Sequence, residues 1–205
     1  MMKVKLPIMV ERVIADTRIL QTQMTQEFNQ KLALESQVPS CRVGCANCCH
    51  HPFYISMMEG LLLYRWLVAH GRWNNALRDQ IKEVRNKVLG LPFEVWLMSN
   101  IACPLLTQEK KCLAYEARPL HCSLTYSVGD PEQCHPHELS TATGLVPHVE
   151  EIMAFNSSVA AKVKRLEIWG ALMPLSEVLL LAEGIETGQL DIETFGVQFV
   201  VDISH

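Results

Sequence analysis

The sequence predicts a mainly α protein, a single helical domain built around a cysteine-rich centre with irregular loops. Three observations carry that expectation. Apolar residues recur at spacings of three and four on both sides of the chain's middle; the stretch from Cys103 to Pro147 turns to Pro, Gly and polar residues; and all eight cysteines fall in two groups, Cys41 to Cys49 and Cys103 to Cys134. With 205 residues, 49% apolar and 20% charged, the chain is long enough to bury one sizeable core. The expected organisation is one domain over 1–205, with an N-terminal helix in 1–36, a core over 41–135 that holds the cysteines, and a C-terminal helical segment over 147–205.

Val10, Val13, Ile14, Thr17, Leu20, Met24, Phe28 and Leu32 fall on one face of a helix, closed off by Pro39. Ser56 and Glu59 stand three apart before an apolar run, the pattern of a capping box that opens a helix over about Met57 to His70, stopped by Gly71. Trp73, Leu77, Ile81, Val84 and Val88 outline a third helix up to Gly90, which Leu91-Pro92 breaks. Phe93 to Ile101 adds a helical turn or two. From Cys103 the chain is expected to be loop and short turns, and a stretch of that length needs internal ties. After Pro147, Val149, Ile152, Val159, Val163 and Leu166 outline a helix toward Trp169, and Pro174 opens another through Glu183, since proline's missing amide hydrogen costs nothing in a first turn. Leu190 to Ser204, with Phe199-Val200-Val201, reads as strand or helix.

A net charge of −4 from 18 basic and 22 acidic residues does not supply the basic stripe that a phosphate backbone requires, so nucleic acid is not an expected partner. A membrane span is not expected either: the apolar stretches Leu61 to Ala69 and Val178 to Ala182 are interrupted or bounded by Arg65 and Glu183, well short of about 20 apolar residues. The N-terminus, Lys3 and Lys5 before Leu6 to Val10 and then Glu11-Arg12, is not a signal-peptide core. A cytoplasmic address follows, where thiols stay reduced and disulfides are not expected.

Reduced, clustered thiols point to metal or redox chemistry. The first group is Cys41-x3-Cys45-x2-Cys48-Cys49; the second is Cys103-Pro104, Cys112, Cys122 and Cys134. Cys45-x2-Cys48 is the knuckle spacing that lets two thiolates from one turn reach one ion, with Gly44 available for unusual backbone angles. Two segments of four suit a site closed by bringing both together. The adjacent Cys48 and Cys49 project differently, so one of them faces a second ion, another cluster edge or the core. Two zinc ions in four-thiolate shells would use all eight cysteines; one iron-sulfur cluster needs four. Either centre adds negative charge, about −4 or about −2 respectively, which Arg42, Lys110, Lys111 and Arg118 would offset.

These residues resemble the YkgJ-type cysteine cluster family, a zinc- or iron-chelating CxxCxxCC domain. The resemblance runs through Cys41-x3-Cys45-x2-Cys48-Cys49, Glu59, Cys103-Pro104-x-Leu106 and Cys112-x2-Tyr115-x2-Arg118-Pro119-x2-Cys122, with Cys134 at a position many members fill. Three residues rather than two separate Cys41 from Cys45, and His50 and Ser123 replace a basic residue that often follows the cysteine. The resemblance implies binding of zinc or an iron-sulfur cluster. Flagellin lysine methylases look similar in carrying such a cluster, which makes methyl transfer to lysine a minor alternative; no Gly-rich fingerprint for a nucleotide-like cofactor accompanies it here.

Other residues have plainer readings beside functional ones. His50, His51, His121, His135 and His137 lie within three residues of a cysteine and read as loop residues or groups that orient ligands, with His135 and His137 the best candidate ligands. Arg118 is read as a cofactor-binding group that bonds cluster sulfurs, or as a turn element with Pro119. Glu59 reads first as a cap, and Met57, Met58, Trp66, Trp73, Trp96 and Trp169 as core. No catalytic motif stands beyond the cysteines. The competing functions are an iron-sulfur protein in redox chemistry, cluster handling or protein modification, a structural zinc scaffold presenting helices to a protein partner, and thiol redox chemistry at Cys48-Cys49.

Overall fold

The structure is a computed structural model and describes residues 6–34, 38–42, 44–136, 145–147, 149–163 and 172–190. Seven α-helices dominate them: α1 (Ile8–Leu34), α2 (Met57–Ala69), α3 (Asn75–Val88), α4 (Phe93–Met98), α5 (Leu120–Leu124), α6 (Val149–Val163) and α7 (Leu175–Thr187). Two short antiparallel pairs accompany them, β1 (Tyr54–Ile55) with β4 (Met173–Pro174) and β2 (Thr125–Ser127) with β3 (Leu145–Pro147). The mainly α expectation holds.

Helix α1 buries Val10, Val13, Ile14, Thr17, Phe28 and Leu32, with Leu20 and Met24 packed at the margin, so the predicted stripe is the buried one. Helix α2 opens on the capping box: the Ser56 hydroxyl accepts from the Glu59 amide while the Glu59 carboxylate accepts from the Ser56 amide. It is buried almost all round, which fits its central place between α1 and α7. A Cβ added at Gly60 would stand 2.0 Å from Cγ1 of Val178, so only glycine permits this approach of α2 to α7.

Trp73 departs from the periodic reading. Asn74 caps α3 by accepting from the Leu77 amide at 2.9 Å, and Trp73 lies before that cap, its ring 4.8 Å from that of Tyr64 and its indole N–H donating to Glu183. The apolar period runs through the cap because a packed tryptophan can cover the same face from outside the helix. Helix α7 continues past Glu183 to Thr187 and ends on Gly188 in the left-handed conformation, φ +74°. The helical reading toward Trp169 is met by α6 up to Val163; Trp169, His137 and the tail after Leu190 lie outside the described residues.

Ion pairs fasten the helices where α7 meets its neighbours. Arg65 of α2 reaches Glu11 of α1 at 2.7 Å and Glu186 of α7 at 2.6 Å, while α3 sends Arg78 to Glu183 and Arg85 to Glu177. The frame of α1, α2, α3 and α7 thus has apolar packing inside and planar guanidinium-carboxylate contacts at its seams.

Candidate metal centre

The cysteines lie in the segments that the helical frame leaves irregular. A tight turn, with the Cys45 amide bonded to the Arg42 carbonyl at 2.9 Å and Gly44 at φ +91°, carries the chain into a 3-10 turn over Asn47–His50 that holds Cys48 and Cys49. The Cys103 amide then donates to the Cys49 carbonyl at 2.7 Å and joins the two cysteine segments. Beyond it the chain doubles back on itself: Thr107 donates to Lys111 at 2.8 Å, Leu113 to Leu105 at 2.7 Å, and Leu106 bridges Cys112, which brings Cys112 beside Cys103. Lys110, with φ +57°, sits at the tip.

Cys122 arrives on α5, a helix of one turn and a little more. Its first amide, that of Leu120, donates to Oε1 of Glu59 at 3.0 Å, so the residue that caps α2 also anchors the helix carrying a cysteine. Gln21 of α1 donates to the same oxygen at 3.2 Å. Burial outweighs these donors and raises the Glu59 carboxyl above its usual range.

Six of the eight thiols, those of Cys45, Cys48, Cys49, Cys103, Cys112 and Cys122, line one cavity of about 240 Å³. Leu63 of α2, Leu175 of α7, Phe53, Leu105 and Ala114 supply its apolar wall. Arg42, Lys110, Lys111 and Arg118 line it as well, and no carboxylate does. Within the six, Cys48, Cys103, Cys112 and Cys122 all lie within electrostatic reach of one another. The Cys49 and Cys48 thiols are hydrogen-bonded to each other. Among the described residues no three Cys, His, Asp or Glu side chains stand at the mutual spacing of a bound ion, so the thiols are gathered rather than closed into a shell.

Burial pushes the Cys103 thiol up to about 12, with the neighbouring Cys112 and Cys48 adding to it. Burial likewise raises Cys112 and Cys122, and the hydrogen bond with the Cys49 thiol followed by burial raises Cys48. Arg118 opposes the rise at Cys48, Cys112 and Cys122. A cation entering the space that these four half-buried cysteines share would take protons off them, since the thiolate is the metal ligand.

Arg118 is held with its guanidinium carbon 3.9 Å from the centre of the Tyr115 ring. Its Nε is buried and has no hydrogen-bond partner among the described residues. An unpartnered buried N–H beside thiol sulfurs suits an anionic, sulfur-rich occupant that would accept from it.

Cys41 and Cys134 stand apart from the cavity and meet at Ser127. The Ser127 amide donates to Sγ of Cys41 at 3.3 Å, and its side chain is hydrogen-bonded to Cys134. Ser40 fixes this pairing by donating its amide to the Ser127 carbonyl at 2.7 Å and its hydroxyl at 2.9 Å. Cys45, in the cavity wall, is within electrostatic reach of Cys41, Cys48, Cys134 and the Glu132 carboxylate, and Cys134 is within reach of Cys48 as well. Burial raises the thiols of Cys45 and Cys134.

None of the described histidines lines the cavity. Nε2 of His51 bonds the Cys134 carbonyl at 2.6 Å, Nδ1 of His50 approaches the Asn100 carbonyl at 3.3 Å, and His121 packs edge-on against Phe53. The His135 ring lies 6.2 Å from that of His50. Their visible work is holding loops. The sequence reading did not find Ser127, Glu132 or the supporting role of Tyr115; only Tyr115 carried a signal, its fixed spacing of three before Arg118.

A helical frame carrying a thiol-lined, cation-rimmed cavity defines a cysteine-cluster metal-chelating protein. The family model CxxCxxCC, "Putative zinc- or iron-chelating domain", matches residues 40–151, more than half of the chain. The chain belongs to that family. Neither the curated proteins nor the solved structures contain a match to it.

Proposed function

We propose that this chain binds an iron-sulfur cluster in the cavity, with Cys48, Cys103, Cys112 and Cys122 as ligands and Arg118 bonding cluster sulfur. The observation that carries this reading is one shared cavity of about 240 Å³ that has more thiols than one ion takes, no carboxylate, and a buried unpartnered arginine N–H. A single zinc ion in a closed four-thiolate shell needs no cavity. A bound cluster would supply one-electron chemistry, and the residues here would hold it, shield it from water with Leu63, Leu105 and Leu175, and bias its charge through Arg118. The domain would then be one unit with residues 41–135 as its metal-binding core, working in redox chemistry, cluster handling or protein modification. A reducing, cytoplasmic setting accords with eight free cysteines.

One observation favours a second reading, a zinc scaffold that meets a protein partner: Leu89, just before α4, and Phe93, Val95 and Met98 on it are each exposed. Among the described residues no helix is long and apolar enough to cross a membrane. The test between the readings is the iron, zinc and acid-labile sulfide content of protein purified without oxygen, with its visible spectrum. Iron and sulfide in equal amounts with a brown chromophore are expected. Zinc without iron or sulfide, and no colour, would overturn the cluster in favour of the scaffold.

A further inference from the structure

Arg78 and Arg85 of α3 are turned to α7, where they pair with Glu183 and Glu177. The other side of α3, with Asp79, Gln80, Glu83 and Lys87 in one stripe, borders a cleft of about 840 Å³. The facing wall is the chain that leaves α4, from Ser99 to Cys103, and Cys103 also lines the thiol cavity. We propose that this cleft binds an extended, lysine- or arginine-bearing segment of a partner protein, which adds to the free backbone at Ile101 and Ala102 and meets Asp79 with its basic side chain. The proposal goes beyond the reading above and holds whichever metal the thiols take.

The wall is fixed at both ends. The Ser99 amide donates to the Trp96 carbonyl at 3.0 Å and its hydroxyl to the Val95 carbonyl at 2.6 Å, while His50 meets the Asn100 carbonyl and the Cys103 amide is bonded to Cys49. Between these points the amides and carbonyls of Ile101 and Ala102 make no hydrogen bond among the described residues, and both residues line the cleft. A held stretch of main chain with unused donors and acceptors is an edge that a second chain can extend, and main-chain bonds of that kind supply affinity. Ala76 on α3 and Ala102 on the other wall carry only methyl groups, which leaves width for the incoming segment.

Charge selects what enters. Glu83 and Lys87 pair with each other at 2.7 Å and cancel, whereas Asp79 is exposed and makes no ion pair among the described residues. The side chains lining the cleft therefore carry one net negative charge. On the other side of Cys103 the cavity is lined by four basic side chains and no carboxylate. Opposite signs on the two sides of one cysteine sort the occupants, an anionic centre within and a cationic segment outside. The part of the segment that reaches Cys103 would stand beside the metal centre.

The experiment uses the full chain purified without oxygen and follows the fluorescence anisotropy of a short, labelled, terminally blocked peptide of alternating lysine and valine. The same peptide with glutamate for lysine, and the lysine peptide with its amides N-methylated, serve as comparisons. The lysine peptide should bind saturably, the glutamate peptide should not, and N-methylation should weaken binding by roughly tenfold or more. Asp79→Lys and Ala76→Trp, both at exposed positions of α3, should each weaken it by roughly tenfold or more, with a helix signal confirming their folding. Absence of saturable binding, equal binding of the glutamate or N-methylated peptide, or binding unchanged in both variants would overturn the proposal. Iron and sulfide are measured on the same samples: their absence with the peptide still bound would remove the cluster reading and leave the cleft in place.

Discussion

The helical frame and the cysteine centre are held together by opposite means. Between α2, α3 and α7 the contacts are apolar packing and guanidinium-carboxylate pairs, all complete within the chain itself. Around the thiols the chain is fixed by a few backbone bonds, such as Cys103 to Cys49 and Leu113 to Leu105, and the buried Nε of Arg118 there still lacks a partner. The frame is finished by folding; the centre is finished by what it binds. A region of the first kind loses stability when altered, and a region of the second kind loses its ligand.

The largest way to break this contrast is Cys103→Ser. It should cost most of the bound iron and sulfide, a drop of roughly tenfold or more, while the helix signal stays close to wild type. If the helices melt with the metal, the two regions are not separable. Gly60→Ala attacks the other side: the new methyl meets Val178 of α7, and overpacking should cost about 1–3 kcal/mol in a urea titration, with metal content per folded chain unchanged.

Glu59 joins the two regions and makes a subtler test. Its carboxyl is raised in the fold above its value of 4.5 in a free chain, so folding takes up a proton. Stability from this group is full below that value and is lost as pH rises through the raised one. Glu59→Gln should flatten that decline in a pH series of unfolding midpoints, and a slope equal to wild type would show that the carboxyl does not cause it. The smallest expected effect is that of Arg118→Met. Removing a positive charge beside a cluster should move its reduction potential to more negative values with iron content retained, as read by a potentiometric titration of the visible spectrum.

The frame was largely legible because its signals are local. The α1 stripe, the Ser56 and Glu59 box and the stop at Gly71 each need only residues a turn apart to be read. Helix α5 was not legible: at five residues it has no period, and what anchors it is Glu59, 61 positions earlier. The cysteine clustering was plain from spacing, and so was the convergence of two segments. Which thiols meet was not, because Cys48 of the first group reaches Cys103, Cys112 and Cys122, and Cys134 of the second reaches Cys41, Cys45 and Cys48. Ser127, bonded to both Cys41 and Cys134, helps to make that meeting, and nothing in its local sequence marks it.

Leu175 opens α7 and is also part of the cavity wall. Every cysteine precedes it in the chain, the last of them, Cys134, by roughly forty residues, a few seconds of synthesis at about 5–20 residues per second. A nascent chain therefore emerges with all its thiols before the helix that walls them in. A metal centre taken up in that interval would meet an open donor set, which the arrival of α7 would then wall in.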